Sequence, residues 1–199
     1  MFRVVFPGVN YEKKKGAIFL DRDGVINHRV QDSYVLQWSD FRFIDGVRQA
    51  MKQLSGLNVP LILISNQAAV GKGLLSLETL RVITFRLQES LVADGIFLCA
   101  AYYCTHSEDA RCDCRKPKPG LLKKAAEDFG VDLSSSVFIG DSLSDIHAAV
   151  AAGSNPVLFL ADRGAVELPL DLKSLRVVHR AHDLYGATVN TLGLHPRSG

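Results

Sequence analysis

The amino-acid sequence predicts an α/β protein whose single domain is a doubly wound, mostly parallel sheet. Two observations support this fold class. Short, continuous apolar runs, typical of parallel strands buried on both faces, alternate with longer segments of helical periodicity. The chain has 199 residues, 47% of them hydrophobic, which is enough to bury one full core. We expect an N-terminal extension, residues 1–15, followed by one domain that spans residues 16–199.

Six apolar runs bounded by turn residues predict the strands. In chain order they span residues 17–20, 59–64, 97–103, 137–140, 157–160 and 175–178. Apolar stripes at helical spacing predict the helices between them. These cover residues 45–54, 76–95, 119–130, 142–153 and a final segment after Ala181. Ser76 and Ser142 are the predicted N-caps, because a serine side chain can accept a hydrogen bond from the first helical turn.

Charge and hydropathy narrow the classes of function. The formal net charge is only +2, so no overall field favours nucleic acid or an anionic membrane. The N-terminus lacks an apolar signal core, and no apolar run is long enough to span a bilayer. We therefore expect a cytoplasmic monomer that acts on a small molecule and binds neither nucleic acid nor membrane. A zinc-stabilised nucleic-acid-binding module is the alternative from another class, and the weak charge argues against it.

Reactive side chains follow four of the predicted strands, and loops that follow parallel strands share one edge of the sheet. Each side chain alone has an ordinary explanation as a turn, cap or surface residue. Their common position favours a single site instead. The residues are Asp21 and Asp23, Ser65, the pair Arg115-Lys116, and Asp141 with Asp145.

This set of residues fits attack by a carboxylate on a phosphomonoester. Asp21 and Asp141 are candidate Mg²⁺ ligands, with the main-chain carbonyl of Asp23 completing the protein set, because Mg²⁺ prefers oxygen ligands. Lys116 would balance the charge of the transferred phosphoryl group, and Ser65 would donate a hydrogen bond to one of its oxygens. Asp23 would protonate the leaving oxygen and then deprotonate the hydrolytic water.

These motifs resemble the four motifs of the haloacid dehalogenase superfamily of phosphatases, and they occur in the same order. They read Asp21-Arg-Asp-Gly-Val, Ser65-Asn, Lys116-Pro and Gly140-Asp-Ser-Leu-Ser-Asp145. The resemblance implies a Rossmann-like fold in which Asp21 is the nucleophile and Asp23 the general acid/base. Ser65 and Lys116 would then stabilise the phosphoryl group. Asp141 would bind Mg²⁺, with Asp145 as a further ligand or as a residue directly behind the ligands.

A cysteine-rich loop precedes Lys116. Cys104-Thr-His106 and Cys112-Asp-Cys114 together offer three thiolates and one imidazole, the ligands of a closed, structural zinc site. Two disulfides are the alternative, but a reducing compartment and the interposed His106 favour zinc. Because the loop runs directly into Arg115-Lys116, the metal would fix the backbone that carries both cations.

Three segments resemble the branch of D,D-heptose 1,7-bisphosphate phosphatases. They are the cysteine pattern with Arg115-Lys-Pro-Lys-Pro-Gly120, the stretch 21–27 and the stretch 66–73. The resemblance implies a Mg²⁺- and Zn²⁺-containing enzyme with no large cap domain. Its substrate would be D-glycero-D-manno-heptose 1,7-bisphosphate, a precursor in lipopolysaccharide synthesis, and it would remove the 7-phosphate. The histidinol-phosphate phosphatases share the zinc pattern and are the alternative.

Without a cap domain, three loops and one turn are expected to select the substrate. The candidate binding residues are Asp32, Ser33 and Tyr34, Asn66 and Gln67, Arg115 and Lys116, and Ser142. Ser142 departs from the pattern of the heptose enzymes, which often carry a basic residue directly after the fourth-motif aspartate.

Overall fold

In the computed structural model, which describes residues 1–8, 16–161 and 175–192, seven strands form one sheet. The strands are β1 (Phe2–Val5), β2 (Ile18–Leu20), β3 (Leu61–Asn66), β4 (Ala100–Cys104), β5 (Val137–Gly140), β6 (Asn155–Phe159) and β7 (Arg176–Val178). Their order across the sheet is β1-β4-β3-β2-β5-β6-β7. All neighbours pair in parallel except β1, which is antiparallel to β4. The predicted fold class is therefore confirmed.

Helices connect most of the strands. They are α1 (Val47–Ser55), α2 (Ala68–Gly71), α3 (Leu77–Val92), α4 (Gly120–Phe129), α5 (Leu143–Ala152) and α6 (Leu184–Thr191). Ser76 is the N-cap of α3, where its side chain accepts a hydrogen bond from the main-chain nitrogen of Thr79. The predicted cap Ser142 forms a reciprocal capping box with Asp145 at the start of α5. The short helix α2 lies where the sequence indicated only a loop.

Both faces of the sheet are covered by apolar side chains. Ile18 and Leu20 of β2 belong to one buried cluster, whereas Phe19 between them belongs to another on the opposite face. This alternation follows from the two-residue period of a strand. Helices α1, α3 and α6 contribute to the first cluster, and α4 and α5 contribute to the second. The arrangement is the two-sided packing that the apolar runs predicted.

The segment predicted as an N-terminal extension contributes the edge strand β1, which the sequence patterns did not predict. Phe2 lies opposite Tyr103 of β4, and the two rings are stacked with their centroids 6.2 Å apart. Parts of the predicted division fall outside the described residues, namely 9–15, 162–174 and 193–199. Among the helices of the described ranges, none combines the length and the apolar character needed to cross a bilayer.

Candidate active site

The carboxyl ends of β2 and β5 bring three carboxylates together. Asp21 directly follows β2, Asp141 directly follows β5, and Asp145 lies in the first turn of α5. Because β2 and β5 are paired neighbours, these residues form one buried carboxylate cluster. One oxygen from each residue lies within 4.8 Å of the others. Oxygen ligands at this separation suit a single Mg²⁺ ion.

Lys116 reaches into the carboxylate cluster from the loop before α4. Its Nζ lies 3.0 Å from Oδ2 of Asp21 and 2.6 Å from Oδ1 of Asp145, and it donates a hydrogen bond to the carbonyl of Ile64. Burial alone would lower the pKa of this lysine, but the carboxylates of Asp145 and Asp21 raise it above its usual value. Lys116 therefore stays charged although it is only 4% exposed.

Asp145 is held by the turn that it caps. Its Oδ2 accepts hydrogen bonds from the main-chain nitrogens of Asp141 and Ser142 at 3.2 and 3.0 Å, and from Oγ of Ser142 at 2.6 Å. A Cβ atom on Gly140 would come within 2.2 Å of the Cβ of Asp145, so this close approach requires glycine. The other oxygen of Asp145, Oδ1, contacts Nζ of Lys116. Asp145 therefore fixes both the turn after Asp141 (the Asp141 turn) and the side chain of Lys116.

The cluster carries more negative charge than Lys116 balances. Burial raises the pKa of Asp21 to about 7, and the carboxylates of Asp145, Asp141 and Asp23 act in the same direction, whereas Lys116 opposes them. Since ionising Asp21 is unfavourable in this environment, a divalent cation beside it would be stabilising. The donor set therefore fits Mg²⁺.

Asp23 has a different environment. It pairs with the guanidinium of Arg22 and accepts hydrogen bonds from Asn27 at 2.9 Å and from Gln67 at 2.8 Å. Although burial alone would raise the pKa of Asp23, these partners hold it below its usual value. Gln67 also donates to Oγ of Ser65 at 3.2 Å, which links the end of β3 to the general acid/base candidate.

Two functional arginines were not found from the sequence. Arg22 is only 1% exposed and its guanidinium pairs with Asp23, and no local pattern in the sequence indicates this burial. Arg29 donates from Nε and Nη2 to the two oxygens of Asp141, at 2.5 and 2.6 Å. Arg29 and Asp141 are 112 positions apart in the chain. The one indication in the sequence was the neutral Ser142, because a basic residue often follows this aspartate in the related enzymes.

A cleft of about 310 Å³ opens beside Asp21 and contains most of the predicted site. Besides Asp21 and Asp23, the predicted residues on its lining are Ser65, Lys116, Ser33, Tyr34, Asn66, Arg115 and Ser142. Among the described residues, the lining does not include four of the residues predicted for this site, namely Asp32, Gln67, Asp141 and Asp145. Asp32 is exposed with a φ of 51°, and Gln67 is buried against Asp23.

The four predicted zinc ligands converge in the cysteine loop (residues 104–114). The Sγ atoms of Cys104 and Cys114 each lie 3.6 Å from that of Cys112, and Nδ1 of His106 is 3.3 Å from Sγ of Cys114. Tetrahedral zinc with bonds of about 2.3 Å places its sulfur ligands roughly 3.7 Å apart. The cysteines are not joined by disulfides, and their sulfur atoms together with the His106 imidazole form a group that fits a metal ion.

The thiols of this cluster differ in acidity. Burial opposes ionisation of Cys112, but hydrogen bonds from Cys104 and Cys114 lower the pKa of Cys112 to about 6. The pKa of Cys114 is raised to about 12, by burial and by its two cysteine neighbours. Zinc binds the deprotonated form of cysteine, so the lowered pKa of Cys112 favours metal binding.

The cysteine loop is attached to the carboxylate cluster through Asn66. The Asn66 side chain accepts a hydrogen bond from the main-chain nitrogen of Lys116 at 3.1 Å and donates one to its carbonyl at 3.2 Å. Gly71 packs so closely against the loop that a Cβ there would lie 2.3 Å from the nitrogen of Ser107. Lys116 is therefore held by the loop that precedes it and by Asn66 at the end of β3.

Comparison with known proteins places this site in a family. A family model described as HAD-hydrolase-like matches residues 113–187. The D-glycero-β-D-manno-heptose-1,7-bisphosphate 7-phosphatase of Haemophilus ducreyi is 36% identical over 177 residues, which cover 85% of this chain and 96% of that enzyme. The chain belongs to this family of haloacid dehalogenase phosphatases. The enzyme of the same name from Photorhabdus laumondii is 41% identical over 143 residues, covering 68% of this chain and 75% of the relative.

A solved structure extends the family relationship to the fold. The crystal structure of D,D-heptose 1,7-bisphosphate phosphatase from B. bronchiseptica, complexed with magnesium and phosphate, matches this family member with a TM-score of 0.77. The two chains are 29% identical, and the match covers 89% of this chain and 99% of the other. The predicted superfamily and fold are confirmed for the family member. Its carboxylate cluster and its Cys/His cluster fit the predicted Mg²⁺ and Zn²⁺.

Proposed function

We propose that this protein removes the 7-phosphate of D-glycero-β-D-manno-heptose 1,7-bisphosphate through an aspartyl-phosphate on Asp21. The observation that carries the proposal is the position of Asp21 in the cleft, with Nζ of Lys116 at 3.0 Å and Ser65 on the same lining. The names of the relatives from Haemophilus ducreyi and Photorhabdus laumondii support this substrate and its β anomer.

In the proposed mechanism, Asp21, Asp141 and the main-chain carbonyl of Asp23 hold Mg²⁺. When bound, the ion neutralises negative charge, so that an anionic nucleophile and an anionic phosphate can approach each other. Asp145 is not assigned as a ligand, because Lys116 and the Asp141 turn engage its oxygens. It acts as a positioning residue.

The first half-reaction transfers the phosphoryl group to the protein. A carboxylate oxygen of Asp21 attacks phosphorus, the bond from phosphorus to the sugar oxygen breaks, and Asp23 gives its proton to that oxygen. Lys116 and Ser65 stabilise the charge on the phosphoryl oxygens. Arg22 keeps Asp23 ionised in the free protein, and an incoming phosphate next to Asp23 raises its pKa so that it can carry the proton.

The second half-reaction restores the enzyme. Asp23 takes a proton from a water molecule, whose oxygen attacks phosphorus and breaks the bond to Asp21. Inorganic phosphate leaves, Asp21 is again a carboxylate, and Asp23 releases to solvent the proton that it took from water, because its pKa falls again in the empty site. The proton that Asp23 gave to the sugar oxygen was taken from solvent when the substrate bound, so atoms and charge balance over the cycle.

Arg115 is proposed to bind the substrate from the lining of the cleft. Its Nη2 pairs with Glu108 at 3.2 Å, whereas its buried Nη1 has no hydrogen-bond partner in the described part of the chain. An unpartnered guanidinium nitrogen on the lining of a cleft is a ready donor for a phosphate or sugar oxygen.

The remaining proposals concern the working state of the protein. We propose that it acts as a monomer in the cytoplasm and needs neither nucleic acid nor a membrane, in keeping with its net charge of +2. We also propose that residues 16–199 form the catalytic domain, to which residues 1–15 contribute an edge strand.

The test is phosphate release with Mg²⁺ from both anomers of the heptose bisphosphate and from histidinol phosphate. We expect the highest kcat/KM for the β anomer, and none of the activities should survive in Asp21→Asn. Preference for histidinol phosphate would retain the chemistry and contradict the substrate. Release from none of the three would contradict the proposed function as a whole.

A further inference from the structure

Arg29 lies on the lining of the cleft and contacts Asp141 of the carboxylate cluster. Its guanidinium forms a two-pronged contact with both oxygens of Asp141, at 2.5 and 2.6 Å. The Asp141 side chain is fully buried, whereas 49% of the Arg29 side chain is exposed. Arg29 therefore approaches from the solvent side and lies on the lining of the cleft.

The contact with Arg29 competes with a divalent ion for the same oxygens. Mg²⁺ binds a carboxylate oxygen at about 2.0–2.1 Å, closer than either guanidinium nitrogen. The surroundings are tight, since an atom placed as a Cβ on Gly24 would lie 1.9 Å from Oδ2 of Asp141 and 3.0 Å from Nε of Arg29. Because Arg29 engages both oxygens of Asp141 in these close surroundings, an ion bound to either oxygen competes with a nitrogen of Arg29.

A displaced Arg29 remains beside the substrate. Two guanidiniums, those of Arg29 and Arg115, line the cleft, and Ser142 next to Asp141 adds no charge. Lys116 contacts Asp21 and Asp145 beside the proposed nucleophile, so it is not available to bind a second phosphate. A guanidinium matches a phosphate with two parallel hydrogen bonds, so Arg29 is suited to a second phosphate of the substrate.

We propose that Arg29 exchanges Asp141 for the non-transferred phosphate of the substrate when the divalent ion binds. The identity of that phosphate, the one on carbon 1, rests on the proposed function. Because the ion frees Arg29 for the phosphate, each of the two ligands strengthens the binding of the other. Arg29 is thus a specificity residue for bisphosphates, and it supplies the positive charge that Ser142 lacks.

The first test measures Mg²⁺ binding by calorimetry on zinc-loaded protein without substrate. Arg29→Gln should bind Mg²⁺ about three- to tenfold more tightly, because the competing contact is gone. Arg42→Gln is the matched control, since Arg42 is an exposed arginine outside the cleft lining, and it should leave the affinity unchanged. Unchanged affinity in Arg29→Gln would overturn the exchange.

The second test compares the heptose 1,7-bisphosphate with the heptose 7-phosphate. In Arg29→Gln the ratio of their kcat/KM values should fall by roughly tenfold, the size expected for a charge-assisted pair. Arg29→Lys keeps the positive charge but loses the paired guanidinium nitrogens. Its kcat/KM ratio and its Mg²⁺ affinity should therefore lie between those of the wild type and Arg29→Gln.

The outcomes separate this inference from the proposed function. An equal loss of kcat/KM on both esters would place Arg29 at the reacting phosphate or in the fold, and would contradict the specificity role. If the wild-type protein hydrolysed neither ester, the proposed function and the role at the second phosphate would both be wrong. The Mg²⁺ titration would still decide whether Arg29 competes with the ion.

Discussion

The carboxylate cluster and the cysteine loop are built in opposite ways. Asp21 and Asp141 stand directly at the ends of two paired central strands, and main-chain hydrogen bonds to Asp145 fix the turn after Asp141. The cysteine loop begins at Cys104, the last residue of β4, and between β4 and α4 the only regular structure among its described residues is one 3₁₀ turn, Glu108–Ala110. The first site is therefore formed by the sheet, whereas the second depends on what its ligand atoms bind.

This difference assigns separate roles to the sheet and to the cysteine loop. The sheet holds the proposed nucleophile and the magnesium ligands, so their geometry should survive changes in the loop. The loop leads directly into the cations, because Arg115 and Lys116 follow Cys114, and Asn66 at the end of β3 holds the Lys116 backbone from the other side. Losing zinc should thus impair charge balance at the phosphate more than it impairs the carboxylates.

The largest expected effect comes from the nucleophile. Asp21→Asn should lower kcat by at least about 10⁴-fold, because an amide cannot form the acyl phosphate. Far-UV circular dichroism should be unchanged, since the site already disfavours a charge at this position. Asp45→Asn, at an exposed aspartate, is the control and should keep full activity. A rate in Asp21→Asn within tenfold of the wild type would exclude Asp21 as nucleophile.

The next effect separates the two regions. Cys112→Ser removes a zinc ligand at the half-buried edge of the cluster and should lower kcat/KM by roughly 100-fold through a displaced Lys116. Mg²⁺ affinity, measured by calorimetry, should stay within about twofold because the carboxylates are held by the sheet. Cys99→Ala is the control, since Cys99 is buried and lies outside the cluster.

Two results would contradict the independence of the carboxylate cluster and the cysteine loop. If Cys112→Ser lost Mg²⁺ affinity as strongly as it lost kcat/KM, the carboxylate cluster would depend on zinc. If metal analysis showed no zinc in the wild-type protein, the cysteine loop would need another explanation.

A smaller effect should appear in the pH dependence of stability without magnesium. The folded state holds a proton on Asp21 up to a pKa of about 7, whereas the unfolded chain releases it near its ordinary value. Folding therefore takes up a proton in this window, and the free energy of unfolding should fall as the pH rises from about 5.5 to about 7. Asp21→Asn should flatten this slope in urea unfolding, and an unchanged slope would contradict the raised pKa.

The smallest effect is expected at the rim of the cleft. Glu108 is 64% exposed and pairs with Arg115, and exposed ion pairs are weak. Glu108→Gln should change KM by less than about threefold and leave kcat and zinc content unchanged. A large drop in kcat would show that Glu108 takes part in the chemistry.

Much of the fold and of the convergence at the sheet edge followed from the sequence. Buried parallel strands appear in the sequence as continuous apolar runs, and the polar residues at their carboxyl ends share one edge of the sheet. Asp21, Ser65 and Asp141 could therefore be assigned to that edge from the sequence alone. Ser76 and Ser142 were found as caps because their local chemistry is specific.

Features that depend on distant partners could not be found in this way. Strand β1 exists through its pairing with β4, and no local pattern marks that partner. Arg29 is an ordinary loop arginine until the fold brings it to Asp141. The burial of Arg22 likewise depends on packing that short-range periodicity does not report. Long-range ion pairs were therefore the main gap in the predicted site.

The most direct test of the central claim is to identify which phosphate Asp21 receives. Following the β-heptose 1,7-bisphosphate by ³¹P NMR during turnover distinguishes the two phosphates. We predict that the signal of the 7-phosphate is replaced by inorganic phosphate while the 1-phosphate signal persists in the product. Loss of the 1-phosphate signal first would contradict the account, because Lys116 and Asp21 would then act on the wrong end of the substrate.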